Sequence, residues 1–521
     1  MNSIKSRTEY SMLNITVGMG GYILNTLVAF VCRMVFTRCL STEYLGLSSL
    51  ISNFLSILSL SELGIGSAII YALYKPIAED DQHKVASYIR SYRKAYRIIG
   101  MTVAGFGLAA LPFLRLIIGD GYDIHDNIYL IYGISLLPTV VGYFFSYRVS
   151  LLIAYQRQYI VSGVSYILSI VSSLLQIVIL LTIGRYMVYL AINMASSIIN
   201  GIIILAITNK EYPFLGKKDA EPLSEEDRCS LFRNVKRITV YKLSGVLVNN
   251  TDNMVLTYFS GLSITGLASN YTLLANTLVS FFNQVFNSLT ASVGNLNAAD
   301  NVDKQYAFFN SLNLANFWIY GWAAIGITFV SSDLISLLFG ADYVMPFSIS
   351  LILAVNVYMR GMQNAIWTFK NTKGLFQYGQ YILLVTAALN VIGDIVLGKR
   401  YGVFGIYLAT ALARMFTNTW YEPYAVFKVA FRKDPMIYFF RYVGFSALLV
   451  GTGALCGWIC SLVQASVPVS VATKILICSL IPNGVFYLLF RKKAEFIYMK
   501  SLVSGGMYMM KMRFSRLNKK L

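Results

Sequence analysis

After a polar start, the chain alternates from position 14 onward between long apolar runs and short polar breaks. Each run is about 20 residues long, the helical length that crosses roughly 30 Å of hydrocarbon at 1.5 Å per residue. The runs fall near 14–36, 45–74, 98–118, 128–154, 158–183, 188–207, 238–259, 265–289, 311–330, 345–366, 378–397, 402–427, 442–463 and 470–490. This pattern predicts an all-α polytopic membrane protein of about 14 transmembrane helices. The polar head Met1–Leu13 and the long first run lack a cleavable signal, so span 1 is expected to act as its own insertion signal.

Composition agrees with the pattern. Of 521 residues, 56% are hydrophobic and 13% charged, and the mean hydropathy is +0.60. A soluble domain carries about 25% charged residues. The net charge of +19 does not point to nucleic acid, because the basic residues are sorted by loop. The two ends and the even-numbered loops hold 33 of the 43 Lys and Arg, with clusters at 75–97, 210–242 and 491–520. Positive loops stay in the cytoplasm, so both termini are expected there, and the basic faces should touch anionic lipid headgroups.

The longest interior polar segment, 208–237, lies between two sets of six spans. The chain also matches itself at an offset of 220. Leu27, Val28, Met34, Val35, Thr37, Gly46, Leu47, Ser49 and Leu58 recur as Leu247, Val248, Met254, Val255, Thr257, Gly266, Leu267, Ser269 and Leu278. Six intervening spans leave the two copies pointing the same way, the parallel repeat of transporters that rock two lobes around a central site. The expected organisation is a lobe over 1–207, a cytoplasmic linker over 208–237, a second lobe over 238–430, spans 13 and 14 within 431–490, and a basic cytoplasmic tail over 491–521.

Candidate chemistry is sparse. Two histidines and six scattered cysteines form no metal or nucleophile motif, and Cys456 and Cys460 on one face of span 13 read as core residues. No hydrolase, P-loop or haem motif is present, so no catalytic residue and no bound cofactor is expected. The polar faces are more informative. Ser49, Ser52, Ser56 and Ser59 in span 2, Ser162, Ser165, Ser169, Ser172 and Gln176 in span 5, and Thr272, Asn276, Ser280, Asn283 and Asn287 in span 8 each line one helix face. Small polar residues serve close helix packing, or they line a water-filled cavity. The asparagines favour a cavity for span 8.

Ionisable groups at membrane depth cost several kcal/mol unless they meet water or a partner. Glu62, Asp252, Asp394 and Arg414 lie deep, whereas Arg33, Arg115, Arg148 and Arg360 lie within a turn or two of a span end, where Arg115 and Arg148 are expected to snorkel. Arg33 and Arg38 would form a positive rim. Asn390 and Asp394 share a face of span 11 at matched depth with Asp252 and Thr410, and their oxygens suit an alkali cation. The alternative is a hydrogen-bonded network in which one carboxylate is protonated.

Arg38-x4-Glu43-Tyr44-Leu45-Gly46-Leu47, Ser61-Glu62-Leu63-Gly64-Ile65-Gly66-Ser67-Ala68 and Thr251-Asp252-Asn253 resemble the Wzx-type polysaccharide flippases of the multidrug/oligosaccharidyl-lipid/polysaccharide exporter superfamily. The resemblance implies two six-helix lobes that open alternately to each side. It also implies a sodium site like that of relatives that flip the peptidoglycan lipid precursor, into whose pattern Asp252, Asn390, Asp394, Ile406 and Thr410 fall. Those relatives carry Arg-Asp in span 1 where this chain has Cys32-Arg33, which argues against their cargo.

The expected function is a bacterial inner-membrane flippase for an undecaprenyl-diphosphate-linked oligosaccharide, coupled to Na+ or H+. It would serve O-antigen, capsule or exopolysaccharide synthesis beside a polymerase and a chain-length regulator. Arg33, Arg38, Arg360 and Arg414 are the expected diphosphate partners, with Glu62, Asn276 and Asn283 also facing substrate. A multidrug exporter, a peptidoglycan-precursor flippase and a scaffold are competing readings. A membrane-embedded polymerase is disfavoured by outer loops of only about 4 to 14 residues, which leave no room for its large outer loop.

Overall fold

The computed structural model describes residues 7–59, 65–119, 123–216, 250–298, 302–373, 375 and 378–501. Among them there is no β-strand. The helices are α1 (Arg7–Cys39), α2 (Thr42–Leu58), α3 (Ile65–Ala78), α4 (Gln82–Ala109), α5 (Leu111–Ile118), α6 (Ile128–Ala154), α7 (Gln158–Thr182), α8 (Tyr186–Glu211), α9 (Asp252–Ala298), α10 (Val302–Phe339), α11 (Phe347–Met362), α12 (Asn364–Thr372), α13 (Gln380–Phe416), α14 (Asn418–Ala425), α15 (Met436–Ser461) and α16 (Val467–Phe490). A π-helix, Val426–Phe431, follows α14.

Two of these elements are hairpins. Gly261 in α9 has φ 79° and Gly402 in α13 has φ 57°, values that glycine reaches without a Cβ penalty. The Thr257 and Thr265 hydroxyls meet at 3.0 Å although eight residues separate them, a spacing that a straight helix would stretch to about 12 Å. The Asn390 Nδ2 likewise reaches the Thr410 Oγ1 at 3.1 Å across twenty residues. Each glycine therefore reverses the chain between two predicted spans, 7 to 8 and 11 to 12.

Among the described residues, eight helices are long and apolar enough to cross a membrane, or nine if the pair α4 and α5, bent by 48°, is one span. One of the eight, 381–431, contains the Gly402 reversal and covers two predicted spans. Predicted spans 8 and 10 are helical without passing the same test: span 8 carries the polar face noted above, and span 10 is divided between α11 and α12. Of span 2 the structure describes α2 and α3, and residues 60–64 between them lie outside the described residues.

The chain forms two compact units, residues 1–269 and 270–521. In the first, α1 packs on α7, and α6 packs on α4 and α8. Its core is tyrosine-rich, with Tyr88, Tyr92, Tyr96, Tyr143 and Tyr147 buried. The serine face of α7 belongs to this packing: Ser172 and Gln176 are buried, Asn200 Nδ2 donates to Ser165 Oγ at 3.3 Å, and Gln176 Nε2 donates to the Tyr189 carbonyl at 3.2 Å. For span 5 the helix-packing alternative is the one observed.

The core of the second unit is aromatic, with Phe309, Phe317, Tyr320, Phe369, Phe427 and Phe431 at 2% exposure or less. Helices α15 and α16 dock on α10 through polar clasps and one ring stack. Lys474 Nζ and Ser470 Oγ each reach Asp333 Oδ2 at 2.7 Å, Arg441 Nη1 donates to Asn310 Oδ1 at 2.7 Å, and Phe317 stacks on Phe445 at 4.4 Å.

Candidate functional site

The span 11–12 hairpin brings four of the five predicted cation ligands together. Gly393 faces Ala409 so closely that a Cβ at 393 would lie 2.8 Å from the alanine methyl, and this approach lets side chains one turn away meet. Asn390 Nδ2 donates to Asp394 Oδ1 and to Thr410 Oγ1, both at 3.1 Å, and Thr410 Oγ1 donates to the Ile406 carbonyl at 3.3 Å. Asn390, Asp394 and Ile406 are fully buried, and Thr410 is 5% exposed. Asn390 Oδ1 is buried with no hydrogen-bond donor among the described residues. A buried oxygen without a donor is what a cation would satisfy, and one carboxylate, an amide, a hydroxyl and a carbonyl are hard oxygen ligands. The residues fit an alkali cation. Among the described residues no group of three or more His, Cys, Asp or Glu could hold a metal. The fifth predicted ligand, Asp252, opens α9 in the first unit.

The predicted substrate residues divide by environment. Asn276 is exposed on α9, and Asn283 is half-buried. Asn283 Oδ1 accepts from Tyr320 at 3.0 Å and from Asn364 Nδ2 at 3.1 Å, and Asn364 also donates to the Tyr320 hydroxyl at 2.7 Å. Arg360 is half-buried in the last turn of α11, beside Gly361, which packs directly on the Tyr320 ring. Arg414 lies one turn beyond Thr410 and is 8% exposed. Arg38 is exposed at the end of α1. Glu62 lies outside the described residues.

Arg33 is held by the protein itself. Its Nη2 donates to Ser269 Oγ at 2.6 Å. This bond belongs to a seam inside the first unit, where α2 crosses the start of the second half of α9. A methyl at Gly46 would overlap the Leu262 carbonyl oxygen, and one at Gly266 would overlap the Thr42 carbonyl oxygen. Thr42 and Ser263 hydroxyls share a hydrogen bond at 3.0 Å, and Asn253 Nδ2 donates to Ser49 Oγ at 3.0 Å. The serine face of α2 beyond this seam is open, with Ser52 and Ser56 exposed.

Two features escaped the sequence. Lys370 Nζ lies 2.6 Å from Glu422 Oε1, with side-chain exposures of 2% and 0%, and Trp367 Nε1 donates to Glu422 Oε2 at 2.5 Å. Lys370 falls in the break between spans 10 and 11 and Glu422 near the end of span 12, and neither stands out in the sequence, so only their contact marks them. Arg148 does not snorkel: it is 7% exposed, lies over the Tyr147 ring at 5.2 Å, and has no acceptor for Nε or Nη1 among the described residues.

No curated protein matches this sequence significantly. Among solved structures, the Lipid II flippase MurJ in an inward closed conformation aligns with a TM-score of 0.58 at 15% identity, covering 90% of this chain and all of that one. An inward-facing multidrug resistance MATE family transporter of the MOP superfamily aligns at 0.57 and 14% identity, over 75% and 92%. A point mutant of the Vibrio cholerae MATE transporter VcmN aligns at 0.53 and 12% identity, over 82% and 99%. These likenesses establish the fold. The family model described as "Polysaccharide biosynthesis protein" matches residues 11–299, more than half of the chain, and the chain belongs to that family.

Proposed function

We propose that this protein is a flippase that carries an undecaprenyl-diphosphate-linked oligosaccharide from the inner to the outer leaflet of a bacterial cytoplasmic membrane. It works by alternating access, for O-antigen, capsule or exopolysaccharide synthesis. The observation that carries the reading is membership of a polysaccharide biosynthesis family on a fold otherwise found in transporters. The chemistry is compatible with it. A diphosphate needs guanidinium, which Arg33, Arg38, Arg360 and Arg414 offer, and sugar hydroxyls need amides and hydroxyls such as Asn276, Asn283, Ser52 and Ser56. Glu62 is assigned to the same route.

A cation held by Asn390, Asp394, Ile406 and Thr410 would supply positive charge that neutralises the buried Asp394 carboxylate. Coupling requires that the cation bind one orientation of the transporter better than the other. Asn390 orients Asp394 and Thr410 through its amide, and turning that amide over would aim its oxygen between them. Flux of a lipid-linked oligosaccharide into reconstituted vesicles tests both parts. Flux is expected, it should rise with an inward-directed sodium or proton gradient, and Asp394→Asn should abolish the response to the gradient. Gradient-independent flux would remove the coupling, and absence of flux would remove the flippase.

A further inference from the structure

We propose that Asn283, Tyr320 and Asn364 form a saccharide subsite inside the second unit, with Arg360 beside it, that takes a sugar ring carrying an oxyanion next to its hydroxyls. This rests on the proposed lipid-linked oligosaccharide cargo and adds which part of that cargo the second unit reads.

Tyr320 is the fixed post of the subsite. It is fully buried on α10, with its ring in edge contact with Phe282 at 5.4 Å, stacked on Phe286 at 6.0 Å and pressed against Gly361. Its hydroxyl decides how two amides are turned. Tyr320 donates to Asn283 Oδ1 at 3.0 Å, and Asn364 Nδ2 donates both to that oxygen at 3.1 Å and to the Tyr320 hydroxyl at 2.7 Å. Such a network tells the two ends of an amide apart, so Asn283 points its oxygen into the triad and Asn364 its nitrogen. The remaining ends are fixed with them. Asn283 Nδ2 and Asn364 Oδ1 make no hydrogen bond among the described residues, and neither atom is sealed from solvent. The triad therefore offers one N–H and one carbonyl oxygen to whatever lies against it.

Arg360 adds a charge. It lies in the last turn of α11, four residues before Asn364, within electrostatic reach of the Tyr320 hydroxyl, and it makes no hydrogen bond or ion pair among the described residues. The open side is polar as well. Asn276, Ser280 and Gln284 recur every four residues on α9 and are exposed, with the half-buried Asn283 at their border. Consecutive helices alternate in direction, so the second half of α9 and α11 run the same way, and Ser280 and Arg360 lie on the same side of the triad. At membrane depth such groups face water or a polar ligand rather than hydrocarbon. Interhelical hydrogen bonding accounts for the three bonds of the triad, but not for two amide atoms and a guanidinium that are left over.

Two neighbouring hydroxyls of a sugar ring supply the complement: one O–H donates to Asn364 Oδ1, and the next oxygen accepts from Asn283 Nδ2. The guanidinium takes an oxyanion. In a lipid-linked oligosaccharide the two features meet on the ring attached to the diphosphate, or on a ring that bears a carboxylate. Asn283 and Asn364 contact the sugar, and Tyr320 is a positioning residue that acts through them.

The test uses the full-length chain in proteoliposomes, with the six native cysteines replaced by alanine and S280C introduced as a reporter. The rate at which a maleimide labels that thiol reads occupancy of the subsite. Labelling is expected to slow roughly tenfold with undecaprenyl diphosphate bearing one glucose, and only about twofold with undecaprenyl diphosphate alone. Y320F keeps the ring that packs on Gly361, and both Y320F and N364A should lose the difference between the two lipids while keeping the smaller slowing by undecaprenyl diphosphate. R360Q should weaken the response to both. Free glucuronate separates the two sources of the oxyanion: protection by it assigns the subsite to a carboxylate-bearing ring, and protection by lipid-linked glucose alone assigns it to the ring on the diphosphate, either of which supports the subsite. Equal slowing by the two lipids together with no protection by glucuronate overturns it, as does a sugar-dependent difference that survives in either variant. Sugar-dependent protection in a chain whose unsubstituted form fails to flip lipid-linked oligosaccharide would instead overturn the proposed function and leave the subsite standing.

Discussion

Lys370 and Glu422 place two opposite charges where almost no solvent reaches them, and both carboxylate oxygens are satisfied by Lys370 and Trp367. Such a pair contributes little net stability, but breaking it is costly because the survivor is left charged and dry. Lys370→Met alone is therefore expected to destabilise the detergent-purified protein by about 3–5 kcal/mol, and K370M/E422L to recover most of that loss. Thermal melting of both variants checks this, and equal melting points would show that the pair has no mutual dependence. The same contrast governs legibility. Asn390 and Asp394 could be paired from sequence because four residues along a helix fix a shared face. Lys370 and Glu422 are 52 residues apart on different helices, and no periodicity relates them.

At the scale of elements, helix positions follow from run length, but helix ends and breaks depend on special residues. Gly261 and Gly402 reverse the chain where the apolar runs 238–259 and 265–289, and 378–397 and 402–427, adjoin. Gly46 and Gly266 have ordinary helical backbones and are informative for a different reason, namely that another backbone occupies the space a side chain would need. Gly46→Ala and Gly266→Ala should each force α2 and α9 apart and cost about 1–3 kcal/mol. Gly326→Ala on α10, with open space around its Cα, should be neutral or slightly stabilising. Melting temperatures of the three variants provide the comparison, and an equal loss at Gly326 would remove the close-approach explanation. Serine stripes show the limit of pattern reading at this scale. Those of α2 and α7 have the same spacing, yet one is largely open and the other packed, because only the neighbouring helices decide which face is covered.

For the whole molecule, the distribution of 43 basic residues is a statement about orientation. A tag after Leu521 is expected to be cut by protease in inverted membrane vesicles and protected in right-side-out ones; the reverse pattern would overturn the loop-charge reading. Sequence alone determined that this is a helical membrane protein with a repeated design, because hydrocarbon thickness sets span length and backbone hydrogen bonding forces each span to be helical. It also set Asn390 and Asp394 on one face of span 11, with Ile406 and Thr410 in the next span, since those four residues are local in the chain. Only the tertiary structure decided that the two repeats meet at Gly46 and Gly266, that Arg33 is clasped by Ser269, and that Arg148 is enclosed. These are contacts between segments far apart in sequence, and hydrophobicity, which is non-directional, specifies that helices pack without specifying which side chains meet.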